Sequence, residues 1–393
     1  MSERTRTFSW RLVGYFLRLG TVGFGGPVAL VGHMYRDLVE RLTWVSEDDY
    51  KLSLTLAQIM PGPLAAQTAI AIGYFQEGIA GATLGGIAFV LPSFLIVVAI
   101  SFLYVSYGGL WWTQALFYGI GSAVIAIIAI AAYKLSRSTN KRDLLLWGIF
   151  AAALAVTYFT RAELAWLFIL AGLLVLVVRA PPQWLKKRLP FLSVAPLPLF
   201  IVAAAAVAPG GEPYGRLLLQ LFLFFVKSGA FVFGSGLAIV PFLHQGVVEQ
   251  FGWLTERQFL DAVAVAMITP GPVVITVVFI GFLAARMPGA VVSAIGIFLP
   301  VYLFTIVPAA WFKRHRDNPQ LKAFVQGATA AATGAIAGAV VILAQKAIVD
   351  IPTIAIAVAS LAILLLVKIP EPILVGAAGA AGLGIWLLTG KAA

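Results

Sequence analysis

The sequence predicts an all-α polytopic membrane protein, with about thirteen transmembrane segments in two inverted-topology repeats with broken helices. Three observations carry that expectation. The chain of 393 residues is 61% hydrophobic and only 11% charged, less than half the charge of an ordinary soluble domain. Its text recurs: each position from Phe16 to Pro63 pairs, without a gap, with the one 209 places on, Phe225 to Pro272. The recurring residues include helix breakers in the middle of apolar stretches, at matched places in both copies.

Apolar segments run over 12–32, 52–75, 79–106, 113–134, 144–160, 163–179, 193–209, 216–243, 259–285, 289–312, 323–347, 352–368 and 371–389. The segment 193–209 is short and carries Pro196 and Pro198. The pairs 144–179 and 352–389 read as tight hairpins. The chain divides into an N-terminal repeat over 1–189, a linking segment over 190–215 that spans the membrane, and a C-terminal repeat over 216–393. The N-terminus is polar and basic and runs into the first span with no cleavable signal pattern.

Loop charges orient the spans. Lys134, Arg137, Lys141 and Arg142 form one cluster; Arg179, Lys186, Lys187 and Arg188 a second; Lys313, Arg314, Arg316 and Lys322 a third. Placing all three in the cytoplasm puts the N-terminus inside and the C-terminus outside. The loop 33–51, with Arg36, Arg41 and Lys51, then falls outside as an exception. On this count the second copy starts outside, so the repeats are inverted, provided that 193–209 crosses. Past Pro63 the match slips by one residue: Gly73 meets Gly281, Gly81 meets Gly289, Leu91-Pro92 meets Leu299-Pro300 and Gly119 meets Gly327.

The net charge of +11 sits between spans rather than in basic runs with interleaved aromatics, so nucleic acid is not expected. Cysteine is absent, which removes disulfides and thiolate chemistry. No phosphate-binding loop of the G-x-x-x-x-G-K-[ST] type occurs, and three scattered histidines argue against a catalytic metal. Neither an enzyme nor a cofactor is expected.

Pro61-Gly62-Pro63 recurs as Pro270-Gly271-Pro272. Two prolines around a glycine remove backbone donors and disfavour helix before them, so each motif breaks its segment or, on the plainer reading, kinks it for packing. A broken helix restarting there would aim its positive N-terminal end at an anion. Phe24-Gly25-Gly26-Pro27 recurs as Phe233-Gly234-Ser235-Gly236. These glycines either expose N–H groups to a ligand or let helices pack closely; Gly20 and Gly229 read as packing residues.

Arg18 falls on Lys227, each deep in an apolar stretch. A cation at the bilayer centre costs roughly 2.5–3.5 kcal/mol on insertion scales. Arg18 lies only seven residues past Arg11 and could snorkel to the inner headgroups; the match between copies points instead to a substrate oxyanion as partner. Gln58, Gln67, Thr68, Thr269 and Thr276 flank the breaks as neutral donors or as interhelical hydrogen-bonding groups. His33 and His244 end the first span and its partner, where histidines face water or couple protons. Asp261 matches Leu52 and reads as an acid favoured by a helix start.

These residues resemble the chromate ion transporter superfamily in its long two-domain form. The marks are Phe24–Pro27, the Trp44 that follows, and Pro61–Pro63 with Pro270–Pro272. The resemblance covers nearly the whole chain. It implies an inner-membrane carrier that expels chromate and so confers resistance, built from two homologous halves. The second copy departs from the pattern, reading Phe-Gly-Ser-Gly where the first reads Phe-Gly-Gly-Pro. The expected substrate-binding set is Arg18, Lys227, Phe24, Gly25, Gly26, Gln58, Pro61, Gly62, Pro63, Phe233, Gly234, Thr269, Pro270, Gly271 and Pro272. The expected partners are chromate or a sulfate-like oxyanion and the lipid bilayer, with a homodimer as a candidate assembly.

Overall fold

The computed structural model describes residues 10–23, 26–107, 111–160, 165–181, 213–231, 236–315, 318–367 and 369–389. All regular structure among them is helical. The first half contains α1 (Trp10–Val22), α2 (Gly26–Tyr35), a π-turn over Arg36–Arg41, α3 (Glu47–Ile59), α4 (Leu64–Tyr107), α5 (Trp111–Asn140), α6 (Leu144–Thr160) and α7 (Ala165–Arg179). The second contains α8 (Pro213–Ala230), a 3-10 turn over Gly236–Ile239, α9 (Val240–His244), a π-turn over Gln245–Gln250, α10 (Glu256–Ile268), a 3-10 turn over Val273–Ile275, α11 (Thr276–His315), α12 (Pro319–Ala347), α13 (Ile351–Leu366) and α14 (Glu371–Thr389).

The repeat seen in sequence is a repeat in structure, down to its irregularities. The two π-turns end alike. Leu42 N–H donates to Asp37 O and Phe251 N–H to Gly246 O, both at 2.9 Å; Trp44 N–H donates to Leu38 O and Trp253 N–H to Val247 O, also at 2.9 Å. Ser46 and Thr255 then cap α3 and α10 by accepting from backbone N–H groups one turn on. Phe16 and Phe225 are both fully buried. Gly20 faces the carbonyl of Phe89 and the ring of Pro92; its mate Gly229 faces Ile297 and Pro300 in the same way. No Cβ fits at either place, so these glycines let helices touch backbone to backbone, as expected.

α4 is two limbs. Gly78 is non-helical (φ 67°, ψ −151°) and reverses the chain between 64–77 and 79–107. Gly73 and Gly81 meet across that reversal, and Gly86 lies on Ile70. α11 reverses at the equivalent Ala285 and Arg286 (φ 54°, ψ −149° at Arg286), where Gly281 meets Gly289. The expected division at 75–79 is therefore correct.

The breaks inside the first two apolar segments of each half also turn the chain around. Tyr15 Oη lies 3.5 Å from Asp37, which requires α1 and α2 to run antiparallel. Gln76 reaches Asp49 at 3.4 Å, and Leu52, Leu56, Ala71 and Phe75 share one cluster, so α3 and 64–77 are antiparallel too. In the second half Phe224 of α8 stacks on Phe242 at 5.6 Å and packs on Phe251 and Trp253. A limb of 13 residues such as α1 or α3 is about 20 Å long, against about 30 Å of hydrocarbon. These segments are re-entrant hairpins whose tips are the sequence breaks. A break that only kinks a helix would have carried the chain across.

This corrects the placement of 33–51. Leu52, Leu56 and Phe75 cluster with Ala309, Phe312, Leu321 and Val325. Gln326, one residue on, binds Arg179, which pairs with Asp143. The loop 33–51 thus lies at the same end of the bundle as the 134–143 and 313–322 loops, not opposite them. The exception to the charge rule came from counting a re-entrant hairpin as a crossing. At the other end Tyr214 binds the Ala285 carbonyl at 2.9 Å, Arg257 binds the Gln114 carbonyl at 3.1 Å, and Tyr118 binds Asp350 at 2.5 Å.

The inversion follows from how equivalent helices pack. Thr83 bonds Tyr302 at 2.5 Å, Ala82 packs with Val301, and Ala71 and Phe75, beside the first reversal, pack with Ala309 and Phe312. Symmetrically, Tyr104 packs on Phe279 beside the second reversal. The limbs 79–107 and 287–315, which are mates in the repeat, therefore run antiparallel. The expected span 193–209 lies outside the described residues, and the inversion does not depend on it. The terminal hairpins are exchanged: α12 packs on α6 and α7, and α5 packs on α13 and α14. Gly119 seats on Ala378, and its mate Gly327 on Ala171.

Candidate functional site at the hairpin tips

Each half brings two hairpin tips into the interior, and tips from opposite halves touch. Gly271 N–H donates to Gly23 O at 3.1 Å, joining the second Pro-Gly-Pro tip to the residue beside Phe24. Ser93, fully buried, donates to Pro270 O at 2.6 Å and lies 3.5 Å from Gly20 O. Within the second half Gly236 abuts Val273 and Val274, so its two tips are neighbours. Gly62 (φ 147°) and Gly271 (φ 106°) occupy backbone conformations that side chains disfavour, which is why the prolines flank glycine.

Each Pro-Gly-Pro leads into a new helix. Pro63 accepts from Gln67 N–H at 3.0 Å and opens 64–77; Pro272 accepts from Ile275 N–H at 3.0 Å and opens the second limb. The first N–H groups of such helices, at Leu64 and Ala65 or Val273 and Val274, have no intrahelical acceptor and carry the positive end of the dipole. Both tips can therefore present donors to an anion. The N–H of Gly271 is not among them, since Gly23 takes it.

Arg18 and Lys227 lie on the open faces of α1 and α8, turned away from Phe16 and Gly20 or Phe225 and Gly229. Among the described residues neither makes an ion pair. The Lys227 ammonium sits 5.6 Å from the Phe242 ring, a cation–π contact between the limbs of its hairpin. Gln58 is exposed one turn before the first tip. Thr269 is buried and spends its hydroxyl proton on Val265 O at 2.7 Å, and Thr276 on Val273 O at 2.8 Å. As donors these two threonines are occupied. Phe24, Gly25, Phe233 and Gly234 lie outside the described residues; Gly26 opens α2 just after the first tip.

One group escaped the sequence reading, Ser93, and two that it named, Asp261 and His244, sit otherwise than expected. Ser93 has Val301 as its repeat mate, so matching the copies passed over it; the signal was a hydroxyl directly after Pro92 in an apolar span. Asp261 is no exposed helix-start acid: it is the sixth residue of α10, 4% exposed, and accepts from Tyr104 at 2.6 Å. His244 does not face water: it is 4% exposed, with Nε2 at 2.8 and 2.9 Å from the Glu256 carboxylate oxygens.

The comparisons with known proteins agree with this architecture. The family described as Chromate transporter matches residues 10–176 and again 219–383, one match per repeat. The chain is 56% identical over 377 residues to the chromate transport protein of Cupriavidus metallidurans, covering 95% of this chain and 92% of that one. It is 54% identical over 381 residues to a probable chromate transport protein of Synechococcus elongatus (96% and 95%). A chromate transport protein of Pseudomonas aeruginosa is 30% identical over 358 residues (88% and 83%). No solved structure matches the chain.

Proposed function

Because the chain belongs to the chromate transporter family, we propose that it is a secondary carrier that exports chromate, or a similar tetrahedral oxyanion, across the inner membrane by alternating access. The observation that supports this most is the contact of Gly271 with Gly23, which joins hairpin tips from two inverted halves at mid-depth. Inverted repeats with broken helices place substrate at their interface, and rocking one half against the other opens it to each side in turn. On this reading Arg18 and Lys227, on the open faces of α1 and α8, supply positive charge, and the restarted helices supply backbone donors.

Charge sets the direction. The end of the bundle with Arg36, Arg41, Lys51, Lys134, Arg137, Lys141, Arg142, Lys313 and Lys322 is cytoplasmic, and the end with Arg216, Arg257 and Arg286 is external. The N-terminus is then inside and the C-terminus outside. An inside-negative potential favours the exit of an anion by roughly 2.3 kcal/mol per charge per 100 mV, so potential alone can drive efflux, and proton coupling can add to it. The test is uptake of labelled chromate into inside-out vesicles with and without a potential. Saturable, potential-stimulated uptake is expected. A flux that does not saturate, with single-channel currents, would mean an anion channel of the same architecture. Equal uptake of sulfate would make this a general oxyanion carrier.

A further inference from the structure

Gln67 is the fourth residue of the helix that starts after Pro63, and its side chain folds back onto the tip. Its Nε2 donates to Pro61 O at 2.7 Å, and its carboxamide lies so close over Gly62 that no Cβ would fit there. The residue is fully buried, and its Oε1 has no hydrogen-bond partner among the described residues. A buried acceptor left unmade costs about 1–3 kcal/mol, so it awaits a donor. The same tip also offers donors, the first N–H groups of the restarted helix at Leu64, Ala65 and Ala66.

That combination distinguishes oxyanions by their protons. A fully deprotonated tetrahedral dianion bears lone pairs on all its oxygens. It satisfies the N–H groups but turns an acceptor toward Oε1. A monoprotonated oxyanion carries one hydroxyl for Oε1 and three oxygens for the donors. Chromate takes up a proton near neutral pH, whereas sulfate and selenate keep none until the solution is strongly acid. We propose that Gln67 Oε1 accepts the hydroxyl of hydrogen chromate, so that the carrier selects a monoprotonated oxyanion and rejects sulfate. This deepens the carrier reading above and rests on it. The second repeat lacks the device, since Ile275 stands where the first has Gln67. One negative charge then leaves per turnover together with a proton, so on this reading the potential drives efflux and an inward proton gradient opposes it rather than adding to it.

The test is initial uptake of labelled chromate into inside-out vesicles bearing the full chain, at fixed potential, from mildly acid to mildly alkaline pH. Wild type should show a KM in total chromate that rises as the monoanion disappears, and no inhibition by sulfate or selenate at any pH. Gln67→Leu should flatten the pH dependence of KM and let sulfate compete at least about tenfold better. Gln67→Glu keeps an acceptor of the same size and should keep sulfate excluded. Should Gln67→Leu fail to insert, the wild-type pH series and sulfate competition still decide. A flat wild-type KM, strong sulfate inhibition of wild type, or unchanged discrimination in Gln67→Leu overturns the assignment to Gln67. Absence of any chromate flux in wild type overturns the carrier reading instead.

Discussion

The amide of Gly271 donates to the carbonyl of Gly23 at 3.1 Å, although the two residues belong to different repeats and enter the bundle from opposite ends. The bond fixes two re-entrant hairpins tip to tip. Ser93 reinforces it by bonding Pro270 O at 2.6 Å.

Gly271→Ala should therefore be severe. Its φ of 106° is unfavourable for a side chain, and the added methyl would land on the Ser93 hydroxyl. We expect chromate efflux to fall by roughly 5- to 150-fold, as about 1–3 kcal/mol of backbone strain implies, while membrane content measured by immunoblot stays near wild type. Ser93→Ala should slow turnover more mildly, by the loss of one hydrogen bond worth about 1 kcal/mol.

Arg18→Ala and Lys227→Ala should each abolish efflux in proteins that still insert. The charge is what matters, so Arg18→Lys should retain part of the rate. Normal chromate export by both alanine variants would remove these residues from the site.

Pro61→Ala restores a backbone donor at the first tip and relaxes its φ. Turnover in vesicles should drop further than expression does. A variant with full activity would show that the break is structural only.

Gly20→Leu and Gly229→Leu push a side chain into the backbone of Phe89 and Ile297. Each should cost about 1–3 kcal/mol of overpacking, read as a lowered melting temperature in detergent. Gly14, which faces open space on the same helix, is the control: Gly14→Ala should leave the melting temperature unchanged or raise it.

The re-entrant hairpins can be checked from outside the cell. The chain has no cysteine, so single cysteines report position directly. A membrane-impermeant maleimide applied to intact cells should label Met287→Cys, at the end proposed to be external, and spare Arg41→Cys until the cells are opened. Labelling of Arg41→Cys from outside would restore the crossing path that loop counting alone suggested.

The residues themselves made the repeat legible, because duplication leaves identity at positions that tolerate little else. Gly20 and Gly229, the two Pro-Gly-Pro motifs and the glycine pairs at 73–81 and 281–289 all keep their structural roles in both halves. Matching copies also carries a cost: what one half alone possesses is invisible to it. Ser93, opposite Val301, was passed over for that reason; Gln67, opposite Ile275, stood only as a neutral donor or an interhelical hydrogen-bonding group.

Sequence by itself determined the class, the two halves and the places where helices break, since hydropathy, proline and glycine act locally. It also placed cations where hydrocarbon alone would not accept them. Only the tertiary structure decided what happens at each break. Removing backbone hydrogen bonds at Pro61-Gly62-Pro63 frees the chain to kink or to return; the antiparallel packing of Leu52 and Leu56 against Ala71 and Phe75 selects return. That choice moves the loop 33–51 to the other end of the bundle and brings Gly271 to Gly23. Both outcomes come from contacts between segments far apart in the chain, which no local pattern contains.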